Sequence, residues 1–294
     1  MSNNNWLYNA TVVITGASGG LGKGIAIKLI NDYNCKVIGI ARNEEKMKQV
    51  VAELGSKSAN FTYQLFDVAK EENWIEFKKY LEDNNIQPDV LINNAGILPK
   101  FNKFGNYTID YIKFAMDINF YSAVYSMHHL MPMILKSRTP AIVNVASSAA
   151  LCALAGTSVY TASKAALKGL TESAREEYRG QCYIGLVCPG FTKTDIFSGQ
   201  GEHAGTANKA IDMVSTACDS MVNKIVNGIA HKRDLMVFGI DAKLMGGGNR
   251  LFAVQTSKLS SKVMEMSKLP LFEETFKLNI VLKLQTKKKQ QILN

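Results

Sequence analysis

Thr15-Gly16-Ala17-Ser18-Gly19-Gly20-Leu21-Gly22 is the stretch on which the fold turns. It follows a short β-branched run, Thr11–Thr15, and opens Gly20–Asp32, where Leu21, Ile25 and Leu29 recur at helical spacing. A strand that ends in glycines and passes straight into a helix suits a dinucleotide pyrophosphate. The backbone must turn tightly, approach the phosphates closely and let the helix pack on the strand, and glycine permits all three. The phosphates then sit on free N–H groups at the helix N-terminus, where the helix dipole favours negative charge. The spacing is G-x-x-x-G-x-G, at Gly16, Gly20 and Gly22, rather than the commoner G-x-G-x-x-G.

Outward from this loop the same beat repeats. Lys36–Ile40, Phe61–Leu65, Asp89–Ile92, Ala141–Val145, Cys182–Val187 and Leu235–Phe238 are short apolar runs that read as strands. Between them Asn43–Leu54, Glu71–Asn84, Thr108–Lys136, Ser158–Tyr178 and Lys209–Ile229 carry helical periodicity. Apolar strands alternating with helices predict an α/β fold, a doubly wound parallel sheet of Rossmann type covered on both faces. Ligands of such sheets lie beyond the carboxyl ends of the strands, so functional residues should follow strands. No linker divides residues 1–240, which read as one nucleotide-binding catalytic domain, with 241–294 as a helical C-terminal extension.

Composition narrows the function. The 294 residues are 47% hydrophobic and 20% charged, ordinary for a globular protein. The net charge of +9 is spread over helical stretches, with one tight run at Lys287-Lys288-Lys289, and no nucleic-acid motif accompanies it. Five scattered cysteines without C-x-x-C spacing argue against a disulfide framework or zinc site and for a reducing compartment. The N-terminus lacks a signal-peptide pattern and no apolar stretch reaches membrane-spanning length, so the expectation is a cytoplasmic protein. His128-His129 has no further ligand types at metal spacing, so no metal is expected.

Tyr160-Thr161-Ala162-Ser163-Lys164 supplies the chemistry. Positions i and i+4 put the phenol and the ammonium on one helix face. A neighbouring cation stabilises phenolate and lowers a tyrosine pKa toward neutrality, which an acid/base requires. Cofactor type follows from the end of the second strand. Val37-Ile38-Gly39-Ile40 runs into Ala41-Arg42-Asn43, with no acid for ribose hydroxyls and an arginine that can pair with a 2′-phosphate. NADP(H) is expected over NAD(H).

The glycine loop together with Tyr160-Thr161-Ala162-Ser163-Lys164 strongly resembles the short-chain dehydrogenase/reductase family, over about residues 8–240. The resemblance implies hydride transfer between NADP(H) and a carbonyl/alcohol pair, and a homodimer or homotetramer. It assigns the cofactor loop to Gly16, Ser18, Gly20, Leu21 and Gly22. Asp67-Val68 matches the adenine-contacting pair, and Asn93-Asn94-Ala95-Gly96 the element that supports the sheet and borders the cofactor. Asn119, Ser147, Tyr160 and Lys164 fall at the catalytic positions. Asn119 would anchor a water leading from Lys164 to solvent, and Lys164 would hold the nicotinamide ribose. Pro189-Gly190-Phe191-Thr192-Lys193-Thr194 resembles the segment whose threonine meets the nicotinamide amide. A cofactor-sensing regulator with the same fold and no turnover is the alternative, although it would not need all four catalytic residues.

The loop Ala149–Ala155, with Leu98, Phe191 and Phe197, suggests an apolar wall for a hydrophobic ketone or secondary alcohol, a hydroxysteroid-like molecule included. Phe197–Asn208 reads as a lid. Asp241–Asn294 does not fit the beat: Gly246-Gly247-Gly248 is followed by amphipathic sequence, with Leu251, Val254, Leu259, Val263 and Met266 at rough helical spacing and Lys258, Lys262 and Lys268 interleaved. Packing on the protein or covering the pocket is expected of that stretch, ahead of membrane contact.

Overall fold

Strands whose side chains are apolar on both faces can be buried only between two layers of helix. The computed structural model, which describes residues 6–194, 196, 215–269 and 272–277, has this arrangement. Its strands are β1 (Thr11–Thr15), β2 (Lys36–Ala41), β3 (Phe61–Leu65), β4 (Val90–Asn93), β5 (Ala141–Val145), β6 (Tyr183–Pro189) and β7 (Leu235–Phe238). All pair in parallel, in the order β3-β2-β1-β4-β5-β6-β7. The order reverses between β1 and β4, and that break opens a crevice at their carboxyl ends.

The pleat divides the core into two layers. Val12, Ile14, Val90 and Ile92 join α1 (Gly20–Tyr33), α2 (Glu44–Leu54) and α7 (Cys218–Ala230) on one face. Val13, Leu91 and Ile142 point the other way, into α3 (Glu71–Asp83), α5 (Ser122–Ile134) and α6 (Ser158–Glu177). Trp74, fully buried in the second layer, donates its indole N–H to the Val68 carbonyl at 2.9 Å. Local chemistry sets helix starts: the Asn43 side chain accepts from Lys46 N at 2.9 Å and caps α2, just past Arg42.

One departure from the expected elements bears on function. The stretch read as one helix, Thr108–Lys136, is α4 (Ile109–Met116) joined to α5 by a single π-helical turn, Asp117–Tyr121, that contains Asn119. Gly246, Gly247 and Gly248 lie inside a helix, α8 (Ile240–Leu251). Packing accounts for two of them: a Cβ on Gly246 would stand 3.1 Å from Leu151, and one on Gly248 3.0 Å from Thr256. α9 (Ala253–Met266) and α10 (Glu273–Phe276) follow. The lid stretch Phe197–Asn208, the start of Lys209–Ile229, and Lys287-Lys288-Lys289 lie outside the described residues.

Candidate active site

The crevice begins where β1 ends. Gly16 and Gly20 adopt φ of 68° and 51°, in the left-handed region that favours glycine. Gly22 packs so tightly on the Gly16 carbonyl that no side chain fits between them. The Thr15 hydroxyl accepts from Asn94 N at 2.9 Å and Ala95 N at 3.0 Å, pinning the end of β4 to the end of β1. Asn94 Nδ2 returns a bond to the Thr15 carbonyl at 3.0 Å. α1 starts from an extended Gly19, with no side-chain cap and no acid in its first turn. Its first N–H groups therefore face the crevice without an internal anion, the condition for holding a phosphate.

Across the crevice α6 presents Tyr160 and Lys164, both buried. Lys164 Nζ donates to the Val145 carbonyl at 3.0 Å, which ties α6 to the end of β5. Two residues on, Ser147 Oγ accepts from Ala149 N at 3.1 Å and so is held at the start of a short 3₁₀ turn. Burial pushes the Tyr160 phenol up from its ordinary value, and the Ser147 hydroxyl pulls it back in part. Burial also lowers Lys164 to about 8. Burial is the largest influence on the phenol, and the described hydrogen bond of Lys164 goes to the β5 carbonyl.

Asn119 stands behind this pair. Its Oδ1 accepts from Ile97 N at 2.8 Å, and its Nδ2 donates to the Ile97 carbonyl at 3.0 Å and to Ser163 Oγ at 3.1 Å. The π turn widens the helix enough to aim this amide at the loop after β4. A Cβ on Gly96 would lie 3.1 Å from Asn119 Oδ1 and 3.2 Å from Lys164 Nζ, so Gly96 leaves the gap between them open.

These groups converge on a cleft of about 620 Å³. Its lining brings together Gly16, Gly20, Leu21, Arg42, Asn94, Ala95 and Gly96 with Ser147, Tyr160, Lys164, Pro189, Gly190, Thr192 and Thr194. Ser18 and Gly22 lie outside the lining, as does Asn119. So do Asp67 and Val68: the Asp67 carboxylate bonds Ala69 N at 3.1 Å, and Val68 is buried in the core beside Trp74.

A match covering most of the sheet decides the family. A family model described as short chain dehydrogenase matches residues 10–205. The chain belongs to that family. This short-chain dehydrogenase is 29% identical over 219 residues to the NADPH-dependent pterin aldehyde reductase of Arabidopsis thaliana, covering 74% of this chain and 89% of that one. It is 30% identical over 242 residues to 11-beta-hydroxysteroid dehydrogenase 1A of the same plant, covering 77% and 67%. A Shigella flexneri short chain dehydrogenase solved with NADP superposes with a TM-score of 0.69 at 22% identity, covering 79% of this chain and 96% of that one. The chain is an oxidoreductase of this family with its Rossmann-like parallel sheet.

The sequence left two parts of the dehydrogenase's cleft and its support unread. Lys46 joins Arg42 at the end that follows β2, one helical turn beyond it. Asp241, in the first turn of α8, accepts from Phe191 N at 2.9 Å and so steadies the Pro189–Phe191 turn, while burial pushes its carboxyl up. No spacing in the sequence pairs Asp241 with Phe191, because β7 intervenes. The tail reaches the cleft as well. Met264, Phe272 and Phe276 cluster with Leu98, Phe101, Leu154, Phe191 and Ile196, five residues that line the cleft. Phe272 meets the Phe101 ring edge-on at 5.2 Å, and Thr275 packs against Gly156. Covering the pocket was among the expectations for the tail, and its far end backs the cleft wall.

Proposed function

We propose that this dehydrogenase interconverts a ketone and a secondary alcohol on a bulky apolar substrate, using NADP(H) and Tyr160 as acid/base. The observation that carries the reading is the convergence of Ser147, Tyr160 and Lys164 on the cleft that also holds the glycine loop. The loop fits a dinucleotide: glycines crowd where backbone must approach, while a Cβ on Gly19 would meet nothing within 4 Å. Gly16, Gly20, Leu21 and the first turn of α1 would hold the pyrophosphate, and Arg42 with Lys46 a 2′-phosphate. The cofactor supplies the hydride when bound.

In reduction, Ser147 donates a hydrogen bond to the substrate oxygen and Tyr160 delivers a proton to it, while carbon accepts the hydride. Oxidation runs the same steps backward. Lys164 would hold the ribose and place a positive charge beneath the phenol. Asn119 would support it from behind through the loop at Ile97. Leu98, Phe101, Leu154, Phe191 and Ile196 offer apolar contact and no charge, which supports a hydrophobic, hydroxysteroid-like substrate. The names of the two plant relatives, one NADPH-dependent and one a hydroxysteroid dehydrogenase, point the same way. Five free cysteines accord with a reducing, cytoplasmic setting.

NADPH oxidation across a panel of steroid, cyclic and open-chain ketones tests the reading. Turnover confined to bulky apolar ketones is the expected result; turnover on charged or small polar carbonyls alone would overturn the substrate class. Arg42→Ala should weaken NADPH by about tenfold to a hundredfold and NADH by less than about twofold, since one charge-assisted phosphate contact is lost. Equal weakening of both, measured by fluorescence titration, would remove Arg42 from the 2′-phosphate site.

A further inference from the structure

The two helices that follow β7 are built inside out. α8 turns Ala242 and Gly246 toward the protein and leaves Ile240, Leu244 and Leu251 on the opposite face, 79%, 70% and 77% exposed. α9 sets Ser257, Ser260 and Met264 inward, while Leu259, Val263 and Met266 stand outward. A helix that packs only on its own chain buries its apolar stripe. Here residues 240–266 hold half of the large exposed hydrophobics among the described residues.

The charges around this patch select its partner. Lys243, Arg250, Lys258, Lys262 and Lys268 are exposed and form no ion pair among the described residues. Of the acids on the two helices, Asp241 is turned inward onto Phe191 N, which leaves Glu265 alone outside. A symmetric contact between two copies would set these cations against their own kind. Anionic lipid complements both parts, apolar rows at the headgroup boundary and phosphates at the lysines. The sequence beyond the described residues adds Lys283 and Lys287-Lys288-Lys289. No helix among the described residues is long and apolar enough to cross a membrane, so attachment would be to the surface.

We propose that α8 and α9 dock this protein on an anionic bilayer surface through the exposed apolar rows of both helices and their flanking lysines. The proposal stands apart from the reaction assigned to the cleft. The test is flotation of the full chain with phosphatidylcholine vesicles and with mixed phosphatidylcholine–phosphatidylserine vesicles. Expected is capture by the mixed vesicles alone, reversed by added salt. The pair Lys258→Glu and Lys262→Glu should lower the partition coefficient by about thirtyfold or more, each lysine near the surface contributing about 1 kcal/mol. The pair Leu244→Glu and Leu259→Glu should abolish capture, with melting temperature and NADPH binding unchanged in both variants. Absence of capture by mixed vesicles, or capture that neither variant reduces, overturns the proposal. So does a wild-type oligomer that ignores vesicles and falls apart in the leucine variant, which would give the patch to a second copy.

Discussion

Tyr160→Phe is expected to lower kcat for ketone reduction by about three orders of magnitude and to leave NADPH affinity within about threefold. The phenol hydroxyl is the proton donor in the proposed reaction, and phenylalanine fills the same volume without it. About three decades correspond to about 4 kcal/mol of barrier. The variant should fold, because only the Ser147 contact is lost on that side, about 1 kcal/mol for one buried hydrogen bond. Single-turnover reduction read beside an NADPH titration and a melting curve separates the outcomes. Residual turnover within about tenfold of wild type would remove Tyr160 from the acid/base role.

The direction of the Tyr160 shift adds a pH signature. Burial raises the phenol pKa, so the protonated form dominates throughout the neutral range. Reduction, which uses the phenol, should be flat there and decline only at alkaline pH. Oxidation, which needs the phenolate, should climb with pH across the same range. Had Lys164 brought the phenol to neutrality, both limbs would bend near pH 7 instead. Profiles of kcat/KM in the two directions distinguish these cases.

The surroundings of Tyr160 mark where sequence reasoning stops. The i, i+4 spacing places Tyr160 and Lys164 on one helix face, and the structure has them there. Burial and the Val145 carbonyl that receives Lys164 come from strands distant in the chain, and no local pattern encodes them. The sheet was legible for the opposite reason. The run Val90–Ile92 is apolar and buried at every position, and only a doubly covered strand tolerates that. The π turn at Asn119 escaped because a 3.6-residue period continues on both sides of it. Glycine at positions 246 and 248 answers to the close approach of Leu151 and Thr256, which no local pattern encodes.

Gly22→Ala should weaken NADPH by about a hundredfold or more and lower the melting temperature, although alanine is the better helix former. Two effects oppose each other here. Replacing glycine inside a helix gains about 0.5–1 kcal/mol of backbone entropy. Against that, the new Cβ would clash with the Gly16 carbonyl oxygen, lie 2.9 Å from its carbon and stand 2.5 Å from Asn94 Nδ2. Neither neighbour can yield cheaply. Gly16 is backbone in a left-handed turn, and Asn94 is held by the bonds that join β4 to β1. Overpacking of this kind costs typically about 1–3 kcal/mol, so the clash exceeds the entropy gain. The displacement falls on the loop that must lie against the pyrophosphate, where binding depends on backbone N–H groups at hydrogen-bond distance. Cofactor affinity should therefore fall further than stability does, and an NADPH titration beside thermal melting reads both. An alanine variant that binds NADPH as wild type would show that the Gly16–Gly22 contact can relax, and would take the pyrophosphate away from this turn.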